Sequence, residues 1–142
     1  MRLLYVLLIY LVAPLAIAHE AWKALFNPGY RGRLGQRLGF VQRAARPGSV
    51  WIHAVSVGEV QAAAGLVSEL QRRYPTLPIV LTTVTPTGAQ RARSLFKEGV
   101  QICYLPYDLP GSVGRFLDRI SPQTVVILET EIWPTLYHQL GQ

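Results

Sequence analysis

The sequence predicts an α/β protein built on a doubly wound parallel sheet, and three observations predict it. Apolar runs of strand length recur at residues 50–56, 78–84, 100–105 and 123–128, and helical patterns follow each at 59–73, 87–97, 111–120 and 134–140. Strands alternating with helices make βαβ units and a parallel sheet. The runs are continuously apolar rather than alternating, which expects both sheet faces to be covered. The polar turns gather at one end of the strands, the carboxyl ends, where open α/β sheets bind ligands. With right-handed crossovers the result is a Rossmann-like sheet. At 142 residues, half of them hydrophobic and 15% charged, the chain has ample material for a core.

Taken in order, residues 3–18 form an uncharged apolar stretch. A helix of that length is about 24 Å long, short of the ~30 Å hydrocarbon core. It still serves as an anchor over residues 1–22, tilted or with Trp22 and Lys23 at the interface. Pro14 kinks such a helix without forbidding it. The rival reading is a cleaved signal peptide ending at Ala16-Ile17-Ala18, which would make this an exported binding protein. Charge decides against it. Lys23, Arg31, Arg33, Arg37, Arg43 and Arg46 follow closely with no acid among them, and exporting them opposes the positive-inside bias.

Residues 23–48 therefore read as a basic linker of short helix and loops, with its charges on a solvated face. A polybasic stretch beside an apolar anchor favours an anionic lipid surface. A nucleic-acid footprint is the competing reading of these charges; the apolar stretch just before them favours the membrane, and no nucleic-acid partner is expected.

From Val50 the strand-helix units begin. The first strand ends near Ser56, turns at Gly58, and delivers Glu59 to a helix whose buried face carries Val60, Ala63, Ala64, Val67 and Leu70. Tyr74-Pro75 and Ser121-Pro122 close helices before the next strands. Cys103, the lone cysteine, reads as a small buried hydrophobe and permits no internal disulfide. The carboxyl-end turns are Gly58-Glu59, Thr85-Pro86-Thr87-Gly88, Pro106-Tyr107-Asp108 and Glu129-Thr130-Glu131. If the first strand lies beside the fourth, a topological switch point opens between them.

No GxGxxG or GxxxxGK[ST] occurs, and no metal-ligand spacing. His53 lies mid-strand and reads as a packed, hydrogen-bonded side chain; no Ser-His-Asp triad can be assembled. Carboxylates remain. Glu59 at a helix start is either a charge-complementing acid or a general base. The helix dipole stabilises its anion and opposes base chemistry, whereas a nearby second carboxylate restores basicity. Glu129, and less strongly Glu131, are the candidates for that second acid.

Four blocks carry a resemblance: HAVSVGEV (residues 53–60), TTVTPTGAQRA (82–92), YLPYDLP (104–110) and ETEIWP (129–134). In this order and spacing they resemble the N-terminal half of the bacterial 3-deoxy-D-manno-octulosonic acid (Kdo) transferases. The stretch from Tyr30 to Arg37 is similar to that family's membrane-proximal basic motif, which places Arg31, Arg33 and Arg37 at the membrane surface. The resemblance implies a GT-B glycosyltransferase at the cytoplasmic face of the bacterial inner membrane. Such an enzyme moves Kdo from CMP-Kdo to a hydroxyl of a lipid A precursor, lipid IVA, with inversion, in lipopolysaccharide core biosynthesis. CMP-Kdo is then a donor substrate, and neither cofactor nor metal is expected.

By the same resemblance Glu59 maps to the proton acceptor and Glu129 to transition-state stabilisation. Ser56, Gly58, Thr85, Thr87, Gly88 and Glu131 become candidate acceptor-binding residues from their edge positions. Two positions depart from the family pattern: Thr135 stands where Asn is usual and Gln36 where Glu is frequent. With Gln142 in or just after the fourth helix, residues 49–142 are expected to form a partial acceptor domain. The CMP-Kdo-binding domain is then absent and the chain inactive alone. The alternative is a non-catalytic membrane-surface remnant of such an enzyme.

Overall fold

The computed structural model describes residues 2–96, 98–128 and 132–141. It contains helices α1 (Arg2–Phe26), α2 (Arg33–Arg37), α3 (Val57–Ala62), α4 (Ala64–Arg73), α5 (Pro86–Leu95), α6 (Pro110–Ile120) and α7 (Pro134–Leu140). A 3-10 turn at Pro28–Tyr30 joins α1 to α2. The strands are β1 (Ser49–Ala54), β2 (Ile79–Thr83), β3 (Val100–Tyr104) and β4 (Pro122–Leu128), all parallel, in the order β3-β2-β1-β4. The expected juxtaposition of first and fourth strands is therefore present, with Ala54 paired to Leu128 at their carboxyl ends. The chain crosses from β3 past β2 and β1 to reach β4, and that jump creates the switch point.

The described residues fall into two compact units, neither continuous in sequence. The sheet unit holds residues 41–105 and 117–131. In β1, Val50, Ile52 and Ala54 point to one face and join Val60, Ala63 and Val67 of the following helical stretch, Ile79 and Leu81 of β2, Ala92 of α5 and Phe96 just after it. Period-2 alternation sends Trp51 and His53 to the other face. Both β1 and β2 are buried along their whole length. The edge strand β4 is not, with Gln123 and Thr124 exposed. Beside it lies an apolar groove of about 370 Å³, bounded by Leu66, Leu70 and Tyr74 on one side and Val126 on the other. The expectation of two covered faces thus holds for the central strands β1 and β2 and fails at Gln123 and Thr124 of β4.

The other unit comprises residues 1–40, 106–116 and 132–142. Its α1 has 25 residues, about 37 Å, and is long and apolar enough to cross a membrane by length and composition. It is longer than the sequence stretch 3–18 implied. Helical structure continues through His19, Glu20 and Lys23, whose polarity removes them from an apolar tally but does not break a helix. Pro14 sits inside the helix. Tyr5, Val6, Ile9, Ala13, Ala16, Ile17 and Glu20 form a half-buried to buried stripe, whereas Leu4, Leu11, Leu15 and Leu25 are exposed. That spacing is the 3.6-residue period of a helix with one packed face.

Candidate active site

The first carboxyl-end loop is organised by its own glutamate. Ser56 is the N-cap of α3 and Glu59 lies in that helix's first turn, the S-x-x-E spacing of a capping box. The carboxylate reaches back: its Oε2 accepts from the Val55 backbone N–H at 2.6 Å, and its Oε1 accepts from the Ser56 hydroxyl at 2.7 Å. The bond thus falls one residue before the usual capping-box partner, and the serine hydroxyl serves the glutamate instead of the helix. Glu59 is half-buried. Gly58, beside it, is exposed.

The second loop is tied to the first through one carbonyl. The Val55 oxygen accepts from the Thr83 hydroxyl at 2.8 Å, from the Val84 N–H at 3.3 Å and, at 3.5 Å, from the Thr85 hydroxyl. Thr85 also caps α5, its Oγ1 accepting from the Gly88 N–H at 3.0 Å, with Pro86 in the first turn where a missing N–H costs nothing. A Cβ at Gly88 would collide with the Thr83 and Thr85 hydroxyl oxygens, so this turn requires glycine for close approach. Thr87 is exposed. With Val57, Gln90, Arg91 and Ser94 it lines a shallow depression of about 310 Å³. The third strand joins the same edge through Leu105 N–H donating to the Thr83 carbonyl.

Glu59, Ser56, Gly58, Thr85, Thr87 and Gly88 therefore share the sheet's carboxyl-end edge. Glu129 and Glu131 lie outside the described residues. His53 is buried beneath this edge, its Nδ1 2.8 Å from the Thr82 hydroxyl, which also accepts from Trp51 Nε1–H at 2.8 Å. It is the packed, hydrogen-bonded residue expected from its mid-strand position. Cys103 is buried, and desolvation pushes its thiol up to about 12.

Asp108, seen in the sequence only as a polar turn residue, has a defined role in the other unit. Its carboxylate is 2% exposed and accepts from the Thr135 and Leu136 backbone N–H groups at 2.9 and 2.8 Å and from the Tyr5 hydroxyl at 2.8 Å. Those amides belong to the first turn of α7, whose N-terminal N–H groups lack intrahelical partners. Nothing in the local sequence could signal this, because the capped helix begins 26 residues downstream of the aspartate.

The basic residues divide. Arg31 is exposed. Arg33 and Arg37 are buried, which corrects the expectation of a solvated basic face. Arg33 lies 3.5 Å from Glu20 and stacks over Tyr30; Arg37 stacks over Tyr107 at 4.3 Å. Guanidinium planes suit such stacking better than ammonium groups would. Desolvation lowers the Arg37 pKa against the opposing pull of Tyr107, and burial raises the Tyr107 hydroxyl.

A family model described as 3-Deoxy-D-manno-octulosonic-acid transferase (kdotransferase) matches residues 32–142. The chain is 43% identical over 141 residues to the 3-deoxy-D-manno-octulosonic acid transferase of Haemophilus influenzae, covering 98% of this chain and 33% of that protein. It is 41% identical over 117 residues to the enzyme of the same name from Bordetella pertussis, covering 79% and 26%. A probable mitochondrial 3-deoxy-D-manno-octulosonic acid transferase of Arabidopsis thaliana is 34% identical over 134 residues, covering 94% and 30%. The chain spans a third or less of the length of these relatives. With most of its length inside the matched region, the chain belongs to the 3-deoxy-D-manno-octulosonic-acid transferase family.

Proposed function

We propose that this chain supplies the acceptor side of an inverting transfer of Kdo from CMP-Kdo to a hydroxyl of a lipid A precursor, lipid IVA. Glu59 takes the proton of the acceptor hydroxyl as that oxygen bonds to the anomeric carbon of Kdo. The bond from that carbon to the phosphate oxygen breaks, and CMP departs with the electron pair. Glu129 stabilises the charge that develops in this step. Residues 49–142 provide part of the acceptor domain, no cofactor takes part, and CMP-Kdo is held by a domain beyond this stretch of sequence. The work is done at the cytoplasmic face of the bacterial inner membrane, with residues 1–22 as the attachment and 23–48 as the basic connection.

The observation that supports this reading best is the setting of Glu59. It is a half-buried carboxylate at the carboxyl end of β1, next to the strand that leads to Glu129. Its bonds to the Val55 N–H and the Ser56 hydroxyl hold the carboxylate at this edge while it stays half-exposed. The family match agrees with the reaction class.

The test is a chimera in which this chain replaces the matching third of the Haemophilus influenzae relative. Transfer of Kdo from CMP-Kdo to lipid IVA is measured with Glu59 and with Glu59→Gln. A general base contributes about 10²–10⁴-fold, so kcat should fall by at least ~100-fold in the variant. Turnover within a few-fold of the parent chimera would remove Glu59 from the role of base.

A further inference from the structure

The membrane attachment in this reading leaves open how α1 meets the bilayer, and the polar bonds along the helix bear on it. Tyr5, in its first turn, donates to buried Asp108, itself fixed by two amides of α7. Glu20, 15 residues and about 22 Å further along, lies against buried Arg33 of α2. Between these attachments the stripe of Val6, Ile9, Ala13, Ala16 and Ile17 is turned inward. Helix α1 is thus held at both ends by the polar residues of its own unit. A helix crossing a bilayer leaves that body at one end. Here crossing would tear Tyr5 from Asp108 or drag the carboxylate and the α7 amides into hydrocarbon, both costly.

Apart from His19 and the Tyr10 hydroxyl, the exposed residues from Leu4 to Phe26 are apolar. Leu4, Leu11, Leu15 and Leu25 share the outward face, each more than 60% exposed. At the C-terminal end His19 stacks with Trp22, and Trp22 meets Phe26 edge-on. Indole rings there suit the headgroup level. Lys23 and the exposed Arg31 supply positive charge at the same end, complementary to anionic headgroups. We propose that α1 lies flat at the boundary between headgroups and acyl chains of one leaflet, presenting this leucine face to the lipid, and does not cross the membrane. The inference rests on the membrane association assumed above and narrows it to one geometry.

Depth measurements at four points decide it. Single cysteines at Leu4, Leu11, Leu15 and Leu25 of the full chain would carry spin labels, with native Cys103 buried and out of reach. The protein is bound to vesicles of phosphatidylethanolamine and phosphatidylglycerol, and each label's exposure to oxygen and to a polar paramagnetic reagent is read. These positions span about 32 Å of helix. A flat helix places all four at one shallow depth, about 5–10 Å below the headgroups. A graded series, with Leu11 and Leu15 near the midplane and Leu4 and Leu25 toward opposite surfaces, would overturn the proposal while leaving membrane association intact. Four labels exposed to water would defeat both. Labels shielded from lipid and broadened by one another would show that a second copy covers this face, also against the proposal.

Discussion

The two units bury different kinds of polar group. In the sheet unit the buried polar side chains are Ser49, His53, Thr82 and Thr83: hydroxyls and one imidazole, bonded to neighbours on adjacent strands or to backbone. Among the described residues the helical unit also buries two hydroxyls, Ser112 and Thr135, but it alone buries side chains that carry full charge: Asp108, Arg33 and Arg37. Two motif carboxylates sharpen the contrast. Glu59, bonded to the Val55 N–H and the Ser56 hydroxyl, stays half-exposed, whereas Asp108, bonded to the Tyr5 hydroxyl and two α7 amides, is sealed. A carboxylate that takes a proton from a substrate, the role proposed for Glu59, must remain reachable. One that holds three chain segments together gains from exclusion of water, because its bonds are charge-assisted and no solvent competes for them.

Breaking Asp108 should therefore have the largest effect on stability. Asp108→Ala leaves the Tyr5 hydroxyl and two α7 amides without their acceptor, and each orphaned buried group costs about 1–3 kcal/mol. Since the three losses are not additive, about 3 kcal/mol or more is expected from chemical denaturation. Tyr5→Phe, which deletes one donor and leaves two, should cost about 1 kcal/mol. Equal losses in the two variants would mean that the amides of α7 gain nothing from the carboxylate. Gly88→Ala ranks next. The added methyl meets the Thr83 and Thr85 hydroxyls that tie the two loops to the Val55 carbonyl. A loss of about 1–3 kcal/mol is expected, as for other overpacked sites. A variant as stable as the parent would show that the loop yields easily.

How much of this was legible follows the same divide. The parallel sheet, its strand positions and the polar edge could be read from apolar runs and turn residues, because those signals are local and periodic. Glu59 was visible for the same reason: strand, turn and acid lie within ten residues. The neighbouring of β1 and β4 could be posed only as a condition, since pairing between strands some seventy residues apart leaves no local mark. Arg33 and Arg37 misled because charge usually signals exposure. Their burial depends on Glu20, Tyr30 and Tyr107, brought from three other segments. Asp108 escaped for an equivalent reason, as its partners are Tyr5 and the start of α7.

The smallest effect tests whether the sheet unit excludes charge as the comparison requires. Cys103 sits on β3 with its thiol raised to about 12 by burial alone, whereas an unfolded thiol ionises near 8.5. The folded state therefore resists losing the proton. For a group raised on folding, the stabilising contribution is complete below the unfolded value and is lost as pH climbs through the folded one. Stability should be insensitive to this thiol below about pH 8 and decline from about pH 9 toward 12. Tyrosines and lysines also titrate in that range, so the measurement is a difference: unfolding free energy against pH for the parent and for Cys103→Ala. The alanine variant should lose a roughly constant amount through burial of a smaller side chain, and its alkaline decline should be shallower. Parallel curves across the alkaline range would mean that solvent reaches the thiol in the native state. The sheet unit would then be more open to charge than its buried hydroxyls and imidazole indicate.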